Sequence, residues 1–170
     1  MNTIITIAAG IFVVLVMIWV IWRQMSTRIV LKKPTLWLGI MIVGIVVAAM
    51  HISKGIVFWS IGDIIFLIMA YPVSAVLFAV LRAKSYRLWV GNDGLVMRKG
   101  TAITLILWVI SVAIHAWGNY IVPGSEILMA FYMGLTLLIQ RKLVFNRAKQ
   151  KYPNEIKANL AIEAKKNERR

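Results

Sequence analysis

The chain has 170 residues, 61% of them hydrophobic and only 15% charged, with a net charge of +14 at pH 7. So apolar a composition excludes an ordinary soluble domain, which needs far more polar surface, and makes the bilayer the expected solvent. The absence of cysteine excludes thiol redox chemistry, disulfides, c-type haem attachment and a Cys-based zinc site within the chain.

Five apolar runs follow one another. The first spans Thr3–Trp22 and ends at Arg23. About 20 residues at 1.5 Å rise give about 30 Å, one hydrocarbon thickness. Basic residues follow this run rather than precede it, so it does not read as a signal peptide. The second covers residues 36–52, behind Pro34. The third, residues 56–81, contains Asp63 and Pro72, and a kink is expected near its middle. The fourth covers 101–117, and the fifth runs from 125 to about 140 behind a Pro123-Gly124 turn. The predicted fold is therefore an all-α membrane bundle of about five spans over residues 1–145, with residues 146–170 as a basic tail.

Charge orients the bundle. Arg23, Arg28, Lys32 and Lys33 fall between runs one and two; Arg82 to Lys99 supply the next group; the rest follow run five. Only Lys54 lies on the opposite side, so 19 of 20 basic residues share one side. The positive-inside rule predicts an N-terminus outside and a C-terminus inside a bacterial cytoplasmic membrane. Trp22 and Trp37 on the inside, and Trp59 and Trp117 on the outside, are expected at the interfaces. In a soluble protein this charge would suggest nucleic acid. Between spans it suggests anionic lipid headgroups, and nucleic acid is not an expected partner.

The segment 86–98 departs from helical patterning. Two short runs rich in β-formers flank Gly91-Asn92-Asp93-Gly94, which predicts a small cytoplasmic hairpin whose turn uses positive φ at Asn92 and Asp93. The hairpin is a compact connector or a docking surface for a partner. Pro153-Asn154-Glu155 begins a stretch with Ile156, Leu160 and Ala164 on one helical face. That face is thin, and a polybasic tail lying near anionic lipid is the favoured reading.

Intramembrane polar residues supply the candidate site. Asp63, His115, His51, Lys54 and Glu126 all fall in the outer third of the predicted bundle. Thr104, Trp108, Ser111 and His115 lie at i, i+4, i+7 and i+11 of run four, one helical face that should point inward. These residues define either an outward-facing polar pocket for a proton or small ligand, or Asp63 paired with His115 or Lys54 as structural glue. A bis-histidine haem between His51 and His115 is disfavoured because both lie near the surface. No diagnostic metal spacing, phosphate loop or nucleophile motif is present, so no metal centre and no cofactor is expected. Small residues at four-residue spacing, among them Gly44/Ala48, Ala75/Ala79 and Ala130/Gly134, allow close helix approach.

Lys32-Lys33-Pro34, Lys84-Ser85-Tyr86-Arg87, Gly91-Asn92-Asp93-Gly94-Leu95-Val96-Met97-Arg98 and Lys99-Gly100-Thr101 occur in an order that resembles the CcdC-like family of small bacterial membrane proteins. The likeness covers residues 28–145. It implies a bacterial cytoplasmic membrane protein without an assigned catalytic residue. The expected function is that of a non-enzymatic accessory or scaffold protein, acting as a homo-oligomer or with a membrane-protein partner. The alternative is a small-ligand or proton carrier built on Asp63 and His115, and a distant third is a haem- or metal-binding redox subunit.

Overall fold

The structure is a computed structural model that describes residues 15, 18, 19, 21–23, 25–32 and 35–168. In chain order it contains β1 (Arg28–Ile29), α1 (Thr35–Ser53), α2 (Ile61–Ser85), β2 (Arg87–Val90), β3 (Val96–Lys99), α3 (Ala102–Ile121), a 3-10 turn (Ser125–Leu128), α4 (Met129–Lys151) and α5 (Glu155–Glu168). Four helical segments are long and apolar enough to cross a membrane: α1, α2, α3, and α4 with its leading turn. The chain is a multi-pass membrane protein with these four candidate spans. The predicted first span, 3–22, lies mostly outside the described residues; its described positions, Leu15, Ile18, Trp19, Ile21 and Trp22, are helical.

The bundle is held by backbone proximity more than by large side chains. α1 buries only Trp37, Gly44 and Ala48, and turns Ile42, Val43, Ile45 and Val46 outward. A Cβ on Gly44 would come within 2.6 Å of Phe131 Cα, and one on Gly134 within 2.7 Å of Met41 Cα. α1 and α4 therefore cross where neither carries a side chain, as the small-residue spacing predicts. Ala75 and Ala79, both 0% exposed, do the same for α2 against α4, where Thr136 Oγ1 donates to Ala75 O at 3.1 Å. Outward-facing isoleucine, valine and leucine suit a lipid solvent, in which apolar surface has no cost.

Several boundaries differ from the sequence reading. α2 starts at Ile61 because Ser60 is its N-cap, with Asp63 completing a capping box, rather than at residue 56. α3 is capped by Thr101 and Thr104 and runs on to Ile121. α4 continues to Lys151, well beyond residue 140, so the first part of the predicted tail is helix. Trp37, in the first turn of α1, faces the bundle rather than its surroundings: it is 8% exposed and packs with Trp108 and Leu137. Trp22 and Trp117 are exposed, at 62% and 66%.

The predicted hairpin is present and gains a strand. β1 joins β3, giving an antiparallel sheet of order β1-β3-β2. Its turn differs from expectation: no non-glycine residue has positive φ, and Gly94 alone takes it, at 68°. Gly94 N–H donates to Gly91 O and Gly91 N–H to Leu95 O, so the left-handed residue follows the turn instead of forming its centre. α5 then docks on the sheet. Its buried positions are Ile156, Asn159 and Glu163, not the predicted Ile156, Leu160 and Ala164. Val30, Tyr86, Leu88, Val96, Val144 and Ile156 form a core that joins sheet, α4 and α5.

Candidate functional site

The inward stripe of α3 is where the sequence places it: Thr104, Trp108, Ser111 and His115 are that helix's four buried residues. At the Trp117 end, Ser111 Oγ and Tyr132 Oη share a hydrogen bond of 2.9 Å. The His115 ring stacks on Tyr132 at 5.0 Å between centroids and meets Tyr71 edge-on at 4.8 Å. Tyr71 Oη donates to Ser125 O at 3.4 Å. His115 Nε2 and Ser125 Oγ are both buried and make no hydrogen bond. Such groups are uncommon in folded interiors and mark a polar centre.

Of the other predicted site residues, Glu126 acts electrostatically on His115 and Tyr71 from the turn beside Ser125, and Asp63, His51 and Lys54 make their contacts elsewhere. Asp63 stands in the first turn of α2, where its carboxylate accepts from Ser60 N–H at 2.9 Å and Ser60 Oγ at 2.7 Å. Moving the helix start from residue 56 to 61 turns a residue expected inside the span into a cap. His51 Nδ1 bonds Val47 O of its own helix at 2.8 Å. Lys54 and Glu126 are exposed. Of these candidates, the structure brings Ser111 and His115 together with Glu126 nearby, and the hydrogen bonds of Asp63 go to Ser60.

Towards the sheet, a second polar group follows. Arg82 is 1% exposed; its Nη2 donates to Thr136 Oγ1 at 2.6 Å, its Nε to Phe78 O at 3.2 Å, and its guanidinium lies 5.3 Å from the Trp108 ring. Ser85 Oγ and Thr104 Oγ1 are 2.7 Å apart. Sequence reading placed Arg82 in a basic loop because the apolar run stops at Leu81. The signal that finds it is helical phase: Ala75, Ala79 and Arg82 share one face at i, i+4 and i+7.

At the sheet end, α5 caps the end of the β1–β3 pairing through polar side chains. Asn159 Oδ1 accepts from Val96 N–H at 3.0 Å, and its Nδ2 donates to Val30 O and Val96 O, both at 2.9 Å. Glu163 Oε2 accepts from Lys32 N–H at 2.7 Å. Tyr152 Oη donates to Leu88 O at 3.1 Å, and Arg147 Nη1 donates to Ala83 O. Tyr86, at the end of α2, is buried against this platform, and burial pushes its phenol above the ordinary tyrosine range. Between β2 and the end of α4 runs an open groove of about 580 Å³, bordered by Arg87, Trp89, Lys99 and Lys151. No family model, curated protein or solved structure matches the chain.

Proposed function

We propose that the chain is a non-enzymatic accessory or scaffold protein of the bacterial cytoplasmic membrane, with the sheet end facing the cytoplasm as its working surface. The carrying observation is Asn159: one side chain ties β1, β3 and α5, segments far apart in sequence, into a single platform on the membrane spans. A connector needs no such closure. The platform presents cations and Trp89 along one groove, which suits an acidic partner segment and an anionic leaflet. The resemblance to the CcdC-like family implies the same class of protein and is part of this proposal.

The test is site-specific photo-crosslinking in native membranes. A photoreactive residue at Trp89 should give one adduct of defined mass, either a partner or a second copy. Asn159→Leu should remove that adduct while the protein still inserts. A smear, or no adduct at Trp89 or Lys99, would refute the scaffold reading.

One observation favours a second reading, a small-ligand or proton carrier at the opposite end. His115 Nε2 and Ser125 Oγ are buried with no hydrogen-bond partner beside Tyr71 and Tyr132. That centre excludes Asp63. Proton flux into liposomes that is lost in His115→Ala, with unchanged fold, would support it; equal flux in both would end it.

A further inference from the structure

At the sheet end, four arginines converge from separate segments. Arg28 of β1 and Arg98 of β3 are direct cross-strand partners. Like charges in that position destabilise a sheet. Arg23 and Arg141 join them: Arg28 and Arg98 both act electrostatically on Arg23, and Arg98 and Arg23 both act on Arg141. Their other contacts leave an excess of positive charge among the described residues. Arg141 Nε donates to Leu31 O at 3.3 Å, Arg98 lies over the Tyr86 ring and Arg23 over the Trp19 ring. Arg28 Nε is buried without a hydrogen bond. The acid acting on Arg141 is Glu163, which offsets one of the four charges and also accepts the Lys32 N–H. A small cavity of about 20 Å³ lies among Arg23, Arg98, Arg141, Trp37 and Tyr86.

We propose that Arg23, Arg28, Arg98 and Arg141 form a binding site for the phosphate of an anionic phospholipid headgroup. Guanidinium forks match phosphate oxygens two at a time, and a bound anion turns the Arg28–Arg98 conflict into an attraction. The cavity has room for phosphate oxygens at its mouth. Its walls favour an amphiphile over a free ion. Trp37 and Leu137 come from the spans, and the apolar Leu36 is exposed on the same first turn as Trp37. The arginines therefore sit where the acyl region of a lipid gives way to its headgroup. A zwitterionic headgroup would bring its own cation against the cluster.

This inference rests on the proposal that the sheet end meets an anionic leaflet. Its test uses purified full chain, where orientation and partners play no part, so failure of the scaffold reading leaves the result standing. Thermal unfolding is followed in neutral detergent against dioctanoyl phosphatidylglycerol, dioctanoyl phosphatidylcholine and inorganic phosphate. Phosphatidylglycerol should raise Tm saturably, with the other two at least tenfold weaker. Equal shifts from phosphatidylcholine, or from inorganic phosphate alone, overturn the assignment. Arg28→Gln should leave the lipid-free Tm at or above wild type, because a repulsion is removed, and weaken phosphatidylglycerol binding at least tenfold. Lys54→Gln, an exposed cation at the far end of α1, should bind as wild type. Undiminished binding by Arg28→Gln, or equal losses in both variants, overturns the site. If Arg28→Gln does not fold, Arg23→Gln carries the same expectations.

Discussion

Arg82 shows how a buried cation in the last turn of a span is held without an acid partner among the described residues. Its hydrogen bonds go to Thr136 and to Phe78 O, and its charge lies near the Trp108 ring. Thr136→Val strands an Arg82 N–H, a cost of about 1–3 kcal/mol, while the Ala75 carbonyl keeps its bond within α2. Arg82→Met removes the cation outright and leaves the Thr136–Ala75 bond intact, so it should cost less than Thr136→Val. Chemical unfolding in detergent measures both; the reverse order would mean that the buried guanidinium contributes net stability. Asp63 was legible only as a charge in an apolar run. Its hydrogen bonds to Ser60 make it a cap, and Asp63→Asn should lower thermal stability slightly without affecting proton flux or partner capture. The stripe from Thr104 to His115 was fully legible, because helical spacing alone puts those four residues on one face.

At the level of elements, the crossing of α1 on α4 depends on two missing side chains. Gly44→Ala and Gly134→Ala each push a methyl group against facing backbone, which cannot yield as a flexible side chain does. Overpacking of this kind costs about 1–3 kcal/mol, and valine should cost more. Folded yield in detergent reports it. The hairpin allows a sharper contrast. Gly94 has φ of 68°, whereas Gly91 has ordinary φ and its added Cβ would meet the flexible Met97 side chain at 3.3 Å. Gly94→Val should therefore destabilise the sheet and Gly91→Val much less; equal effects would mean that the turn differs from the one described. The hairpin could be read from its β-formers around a Gly/Asn/Asp turn. β1 could not, because two residues carry no periodicity. The docking of α5 escaped notice for another reason. Hydropathy finds apolar faces, and the buried face here includes Asn159 and Glu163.

For the molecule as a whole, composition reveals the solvent and charge asymmetry suggests the orientation. The chain has no cysteine, so a single introduced thiol reports topology without background. Tyr120, 86% exposed, and Asn92 at the hairpin tip lie at opposite ends of α3. In the proposed orientation, an impermeant thiol reagent on intact cells labels Tyr120→Cys and not Asn92→Cys. Equal labelling would reject that orientation. The platform has a further property, set by the order in which the ribosome delivers its parts. Asn159 binds the carbonyl of Val30, 129 residues earlier in the chain. At synthesis rates of about 5–20 residues per second, β1 waits on the order of ten seconds for the residue that completes it. All four candidate spans emerge in that interval, so insertion precedes closure of the sheet. A nascent chain arrested before Asn159 leaves Val96 N–H and Val30 O without the side chain that ends the β1–β3 pairing.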